Sequence, residues 1–373
     1  MALQSLPDYP WDLMVPFAEQ ARRHEGGIVD LSIGSPVDET PAIIREALAE
    51  ATDAHAYPAT IGTPALRAAI VDWFERRRGV SGLTPESVLP TIGPKELVAL
   101  LAFLLGLGEG DTVVHPVAAY PTYAVGAAIA GATAFPSDDP DEWPESTRLV
   151  WLNSPGNPDG RVLSVEALRR AVERARELGA VIVGDECYAE LGWDAEWAHM
   201  AVPSVLDPRV TDGDHTGVLS IYSLSKQSNL AGYRAAFAAG DAGLVQRLVT
   251  VRKHAGLMLP APLQAAMVVA LGDDAHVVEQ KERYRRRRDV LVPAVLEAGF
   301  RIDRSVAGLY LWITEGRPAW ETIERLASIG ILAGPGLFYG DAYPEHVRLS
   351  LTATDERITA AADRLRSLAE VRG

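Results

Sequence analysis

Short runs of branched and aromatic residues alternate along this chain with longer stretches whose apolar positions recur at helical spacing. Strands are predicted at Val88–Ile92, Thr112–His115, 132–135, 149–152, Val181–Asp185 and 218–224. Between them, residues 97–107, 121–131 and 164–179 predict helices. The last is the clearest. Val165, Leu168, Val172, Ala175 and Leu178 line one side, Ser164 is placed to cap it, and Gly179 to end it. Ahead of this pattern stand an irregular arm at 3–11, a short amphipathic helix at 11–24 and a short strand at 28–33. A helix at 41–51 and a longer one running to Arg78, capped by Thr63, follow. The stretch 190–214 reads as irregular, with Trp193, Trp197 and Met200 as packing anchors. Helices at 242–253 and 260–271 and a long one at 274–298 come next.

Strands alternating with helices imply an α/β fold with a mostly parallel sheet and right-handed crossovers. Such sheets take their ligand beyond the carboxyl ends of the strands. From residue 300 the texture changes, with strands predicted at 300–302, 308–313, 331–333 and 347–351 among helices. The expected division is an N-terminal arm that also joins a small domain (1–35), a large domain (36–275) and a small α+β domain (276–373).

Composition narrows the function classes. The 35 basic and 50 acidic residues give a formal charge of −15, which argues against a general nucleic-acid partner. Cys187 is the single cysteine, so no intrachain disulfide can form, and its apolar setting suggests packing. The basic run 285–288 reads as a solvated or ion-paired helix face. No apolar run reaches membrane-spanning length and no basic-then-apolar leader opens the chain, which makes the cytoplasm the expected location.

Candidate chemistry concentrates at predicted strand ends. Ser223, Ser225, Lys226 and Arg234 stand together after the 218–224 run. A lysine there is a candidate nucleophile, because desolvation and nearby cations lower its pKa. The alternative is a surface lysine with its stem on apolar surface. Hydroxyls and an arginine beside the amine could bind phosphate, and the combination suggests pyridoxal 5′-phosphate, whose aldehyde joins to lysine. Asp185 ends an apolar strand and needs a partner, which a protonated pyridine nitrogen would supply. Tyr188 and Asn157 could donate to the cofactor's phenolic oxygen, Tyr120 could stack on its ring, and Tyr57 could reach a phosphate. Gly93, Pro94 and Lys95 open a helix whose free N–H groups suit an anion. Arg348, inside an apolar strand, needs an anion such as an amino-acid carboxylate. Taken singly, each has a plainer reading: a strand-end cap at Asp185, a surface turn at 153–160, an ordinary helix start at Gly93, an interdomain salt bridge at Arg348. The histidines are scattered without an HExxH pair, and no GxGxxG follows the first strand. Metal catalysis, a Ser-His-Asp hydrolase and a nicotinamide dehydrogenase are therefore poorly supported.

Ser223-x-Ser225-Lys226 with Gly232-x-Arg234, Asn157-Pro158-x-Gly160 and Asp185-Glu186-x-Tyr188 together resemble the fold-type I pyridoxal-phosphate aminotransferases of the aspartate-aminotransferase-like class. The resemblance covers nearly the whole chain. It implies a central, mostly parallel seven-stranded sheet holding the cofactor in domain 36–275. Lys226 matches the lysine that anchors the cofactor and shuttles the proton, and the serines and Arg234 match the phosphate ligands. Gly93-Pro94-Lys95 falls on the phosphate loop, Tyr120 on the stacking aromatic, and Asp185 on the pyridine-nitrogen partner. Asn157 and Tyr188 match the contacts of the phenolic oxygen, and the Asn157–Pro158 bond is expected to be cis. On the substrate side, Gly34 matches a backbone contact, Asn157 lies close, and Arg348 matches the α-carboxylate arginine. Tyr57 matches a tyrosine that crosses to the partner subunit's phosphate, which implies a homodimer with composite active sites and small-molecule amino-acid and oxo-acid substrates. Asp159, Lys95 and Ala236 depart from the usual threonine, small hydroxyl residue and glycine. Residues 6–13 and 28–36 are similar to the actinobacterial succinyldiaminopimelate transaminases, which take glutamate as donor and N-succinyl-2-amino-6-oxopimelate as acceptor.

Overall fold

The computed structural model describes residues 6, 10–198 and 200–370. Its centre is a seven-stranded sheet in the order Val88–Ile92, Ala235–Gly240, Val218–Ser223, Val181–Asp185, Thr147–Asn153, Thr112–His115, Thr133–Pro136. Neighbouring strands from Val218–Ser223 to Thr133–Pro136 run parallel. Ala235–Gly240 runs antiparallel to both of its neighbours. That strand is absent from the sequence expectation. Its sequence, Ala-Ala-Phe-Ala-Ala-Gly, is mostly alanine, the best helix former, and shows no alternation. It becomes a strand because pairing with Val88–Ile92 on one side and Val218–Ser223 on the other satisfies its buried backbone. Every residue in it is buried, and Phe237 packs edge-on against Trp73 and Phe74.

Helices cover both faces of the sheet. Pro64–Arg78, Val165–Glu177 and Ala261–Gly272 close one apolar core. Pro94–Leu104, Thr122–Ala130 and Ala242–Ala255 close the other. The capping expected from sequence is present: the Thr63 hydroxyl accepts from Leu66 N–H and the Ser164 hydroxyl from Ala167 N–H, both at 3.2 Å.

A third core surrounds a four-stranded antiparallel sheet ordered Gly334–Pro335, His346–Ser350, Tyr310–Thr314, Arg301–Ile302. The long helix Ala275–Glu297 and the helix Asp355–Glu370 pack together over it. Val29–Asp30 pairs in parallel with Ile331–Leu332, so the N-terminal segment joins this part of the molecule. Most of the arm expected at 3–11 lies outside the described residues; Pro10 and Trp11 begin a 3-10 helix, Pro10–Met14, that leads into Val15–Arg22.

Two further expectations resolve differently. Trp193 is buried and Trp197 packs on the core, but Met200 is 63% exposed and anchors nothing. Within the basic run, Arg287 is buried between Asp38 and Asp355, Arg285 lies over the Trp193 ring, and only Arg286 is exposed. The run is an ion-paired helix face.

Candidate active site

The carboxyl ends of the parallel strands open on a cavity of about 1380 Å³. Thr147–Asn153 and Val181–Asp185 are in register with Asn153 opposite Asp185, so these polar residues emerge together where the sheet stops. Asn153 then organises the turn after it. Its side chain accepts from Asn157 N–H at 2.7 Å and donates to Pro155 and Asp185 carbonyls. The Asn157–Pro158 bond is cis, as expected, and so is Ser154–Pro155.

Lys226 is the third residue of the helical turn Leu224–Gln227, which begins where strand Val218–Ser223 ends. Ser223 caps that turn: its hydroxyl accepts from Ser225 N–H and donates to the Ser225 hydroxyl at 2.8 Å. The Lys226 amine donates to the Gly34 carbonyl inside the cavity, so it is no surface lysine. Burial lowers its pKa, and the Arg348 and Arg234 cations add to the effect. A larger fraction is therefore neutral, and basic, at neutral pH.

Arg234 holds a left-handed backbone, φ 59°, uncommon outside glycine. The turn presses its guanidinium against Gly93, which itself has φ 74° at the start of helix Pro94–Leu104. A Cβ at Gly93 would collide with that guanidinium. Helix N–H groups, two serine hydroxyls and one arginine thus border one anion-sized space. Lys95 lies at the rim, its amine 5.8 Å from the centre of the Tyr120 ring.

Asp185 is buried, with Oδ2 accepting from the Tyr123 hydroxyl at 2.8 Å and Oδ1 from Cys187 N–H at 3.3 Å. Burial pushes its carboxyl above the usual range, and those hydrogen bonds offset this only in part. A cation placed against it would relieve the cost. Burial likewise pushes the Cys187 thiol well up, leaving it packed and unreactive.

Arg348 is buried. It donates to Asn157 Oδ1 at 2.7 Å and to the Ser32 carbonyl at 2.6 Å, while its Nε has no partner. Asn157 accepts through its oxygen, so its amide nitrogen is the group left to donate. Tyr57 is the sequence candidate that the chain does not bring to the cavity: it is 96% exposed. Three tyrosines absent from the sequence candidates do reach it: Tyr123 on Asp185, Tyr310 on Tyr188, and Tyr339 beside Arg348. Tyr123 follows Tyr120 at i+3 on a predicted helix start, the one available signal. Tyr310 and Tyr339 carried none.

Among the described residues no cluster of His, Cys, Asp and Glu could hold a metal ion. Ser228, His276 and Asp273 form a hydrogen-bonded line with separations of 2.8 and 2.6 Å, but Ser228 is 0% exposed and meets no substrate.

A buried carboxylate short of a cation, an anion cradle whose arginine a Cβ at Gly93 would displace, and an amine between them fit pyridoxal phosphate. The aminotransferase class I and II family matches residues 27–365. The chain belongs to this family. It is therefore a pyridoxal-phosphate-dependent aminotransferase with the α/β fold of fold type I. It is 53% identical over 364 residues to the 4-dedimethylamino-4-oxo-anhydrotetracycline transaminase of Streptomyces rimosus, spanning 97% of this chain and 100% of that one. A probable aminotransferase of Mycobacterium tuberculosis is 54% identical over 362 residues, 97% of this chain and 85% of its own. An aminotransferase structure from Staphylococcus aureus superposes at TM-score 0.87 with 26% identity, covering 100% of both chains. None of these is named for succinyldiaminopimelate, the narrower likeness read from residues 6–13 and 28–36.

Proposed function

We propose that this aminotransferase moves the amino group of L-glutamate to N-succinyl-2-amino-6-oxopimelate, and the reverse, in two half-reactions. The observation that carries the chemistry is the convergence of the Lys226 amine, the Asp185 carboxylate and the Arg348 guanidinium on one cavity. Bound pyridoxal phosphate supplies an electron sink that makes the α-hydrogen of an amino acid acidic. Lys226 is the covalent anchor and the base that takes and returns that proton. Asp185 would keep the pyridine nitrogen protonated. Tyr188 and Asn157 would donate to the phenolic oxygen, and Tyr120 would stack on the ring. Gly93, Pro94, Lys95, Ser223, Ser225 and Arg234 would hold the phosphate. Arg348 binds the substrate's α-carboxylate bidentately, with Asn157 and the Gly34 backbone beside it.

The substrate assignment is supported by where its sequence likeness falls. Leu6, Pro10, Trp11, Leu13, Ile33, Gly34 and Ser35 belong to the two similar segments, and all of them line the cavity. A second reading is a polycyclic ketone acceptor. It is favoured by the apolar wall that Trp11, Leu13, Trp320 and Phe338 give the cavity, and by the tetracycline-related name of the Streptomyces relative. The protein also acts as a homodimer in this proposal, with exposed Tyr57 completing the partner's phosphate site.

An acceptor panel with glutamate as donor separates the readings, with 2-oxoglutarate release as the measurement. Turnover of the succinylated oxo acid, lost together with the lysine-linked absorbance in Lys226→Ala, is the expected result. Turnover confined to polycyclic ketones, or to unrelated oxo acids, would overturn the substrate assignment. Normal multiple turnover by Lys226→Ala would overturn the chemistry.

A further inference from the structure

Tyr310 belongs to no motif in the sequence, yet it touches three groups of the site. Strand Tyr310–Thr314 pairs with His346–Ser350, placing Tyr310 opposite Ser350, two positions along from Arg348. The side chain is 4% exposed. Its hydroxyl lies 3.1 Å from the Tyr188 hydroxyl, with the rings edge to face at 5.7 Å. Its ring lies beneath the Arg348 guanidinium at 3.9 Å, closer than the Tyr339 ring at 4.9 Å. It also fills the space beside Gly34, where any Cβ would overlap the Tyr310 hydroxyl, and the Gly34 carbonyl is the acceptor for Lys226.

We infer that Tyr310 is a positioning residue with two separable duties: its hydroxyl donates to Tyr188 and so aims the Tyr188 proton at the cofactor's phenolic oxygen, while its ring holds Arg348 for the substrate carboxylate. The inference rests on the roles proposed above for Tyr188 and Arg348. The direction of the hydrogen bond follows from counting protons: a hydroxyl has one, so a Tyr188 that donates it to the phenolic oxygen meets Tyr310 as an acceptor. Burial raises the Tyr310 pKa, but the Arg348 and Lys226 cations outweigh it and bring it below the usual tyrosine value. Burial and the neighbouring Tyr310 both push Tyr188 well above that value. Arg348, Lys226, Cys187 and Tyr284 are the other titratable or charged groups near the two hydroxyls. With Tyr310 donating, the Tyr188 oxygen is satisfied as an acceptor and its own proton is free to point into the cavity. A donor that itself accepts a hydrogen bond is strengthened. The ring's duty is a cation–π contact inside a desolvated pocket, where such contacts are strongest.

Two substitutions in the holoenzyme separate these duties. Tyr310→Phe keeps the ring and removes the hydroxyl. It should raise the pKa read from the pH titration of lysine-linked cofactor absorbance by roughly 0.5 to 1 unit, the size of one hydrogen bond. The glutamate KM should stay within about twofold. Tyr310→Leu should move the absorbance pKa similarly and also raise the glutamate KM about tenfold, because Arg348 loses its platform. In a Tyr188→Phe background the absorbance shift caused by Tyr310→Phe should vanish. An unmoved absorbance pKa in Tyr310→Phe, or a shift that persists without the Tyr188 hydroxyl, would overturn the relay. An unchanged KM in Tyr310→Leu would overturn the platform. If Tyr188→Phe alone leaves the absorbance pKa unmoved, the proposed role of Tyr188 fails and the relay with it. A shift with Tyr188→Phe but none with Tyr310→Phe would sink only the relay. Should Tyr310→Leu not fold, the near-isosteric Tyr310→Phe still decides the relay, and an Arg348-dependent KM in Tyr310→Trp decides the platform.

Discussion

Asp185 shows how one residue is set against stability for the sake of chemistry. Its carboxylate is desolvated, and Cys187, through its thiol and its amide, and Tyr123 compensate in part. A carboxyl whose folded pKa lies above the unfolded value of 3.8 destabilises the fold at neutral pH, and the cost disappears as pH falls through the folded value toward 3.8. Asp185→Asn keeps the shape and an acceptor for Tyr123 but carries no charge. Without cofactor at pH 7 it should therefore melt at or above the wild-type temperature, with the gap closing toward pH 4. With cofactor its kcat should fall about 100-fold or more, since the fixed charge opposite the pyridine nitrogen is gone. Paired melting curves and turnover measurements check both; a cofactor-free variant that melts well below wild type at pH 7 would contradict the account.

At the scale of elements, local signals and tertiary demands divide the work. The helix Val165–Glu177 was legible because its cap, its apolar side and its terminating glycine all agree. Ser164→Ala should therefore lower unfolding free energy by about 1 kcal/mol, read by chemical denaturation, with kcat unchanged. A loss near zero would show that packing alone holds that helix end. The strand Ala235–Gly240 was illegible for the opposite reason: alanine's intrinsic preference points to helix, and only pairing with Val88–Ile92 and Val218–Ser223 overrides it. The lysine turn lies between these cases. Its strand was readable, but that Ser223 caps a helical turn carrying Lys226 inward emerges only once both are folded.

On the scale of the molecule, buried ion pairs join segments that are distant in sequence. Arg78 donates to Glu186 at 2.9 Å with both side chains buried, fastening the helix Pro64–Arg78 beside the Asp185 strand end. Arg287 donates twice to Asp38, tying the long helix to the segment that follows Gly34. Tyr57 has no such anchor to its own cavity. If it serves a partner subunit, mixing Lys226→Ala and Tyr57→Phe subunits should restore activity above the mean of the parents. Each mixed dimer then holds one site with both native groups. Activity no higher than that mean would place Tyr57 outside the partner's site.

The sequence by itself determined the cofactor class, because strand-end chemistry is local. A lysine beside two serines, a carboxylate closing an apolar strand and an Asn-Pro-x-Gly turn are each readable within a few residues, and their combination names the cofactor although each alone has a plainer reading. What only the tertiary structure decided is which groups complete them. Tyr188 meets Tyr310 across 122 residues, and Arg348 meets Asn157 across 191. Those meetings depend on how two sheets and a long helix pack. Packing is a sum of many non-local contacts that no short stretch of sequence encodes.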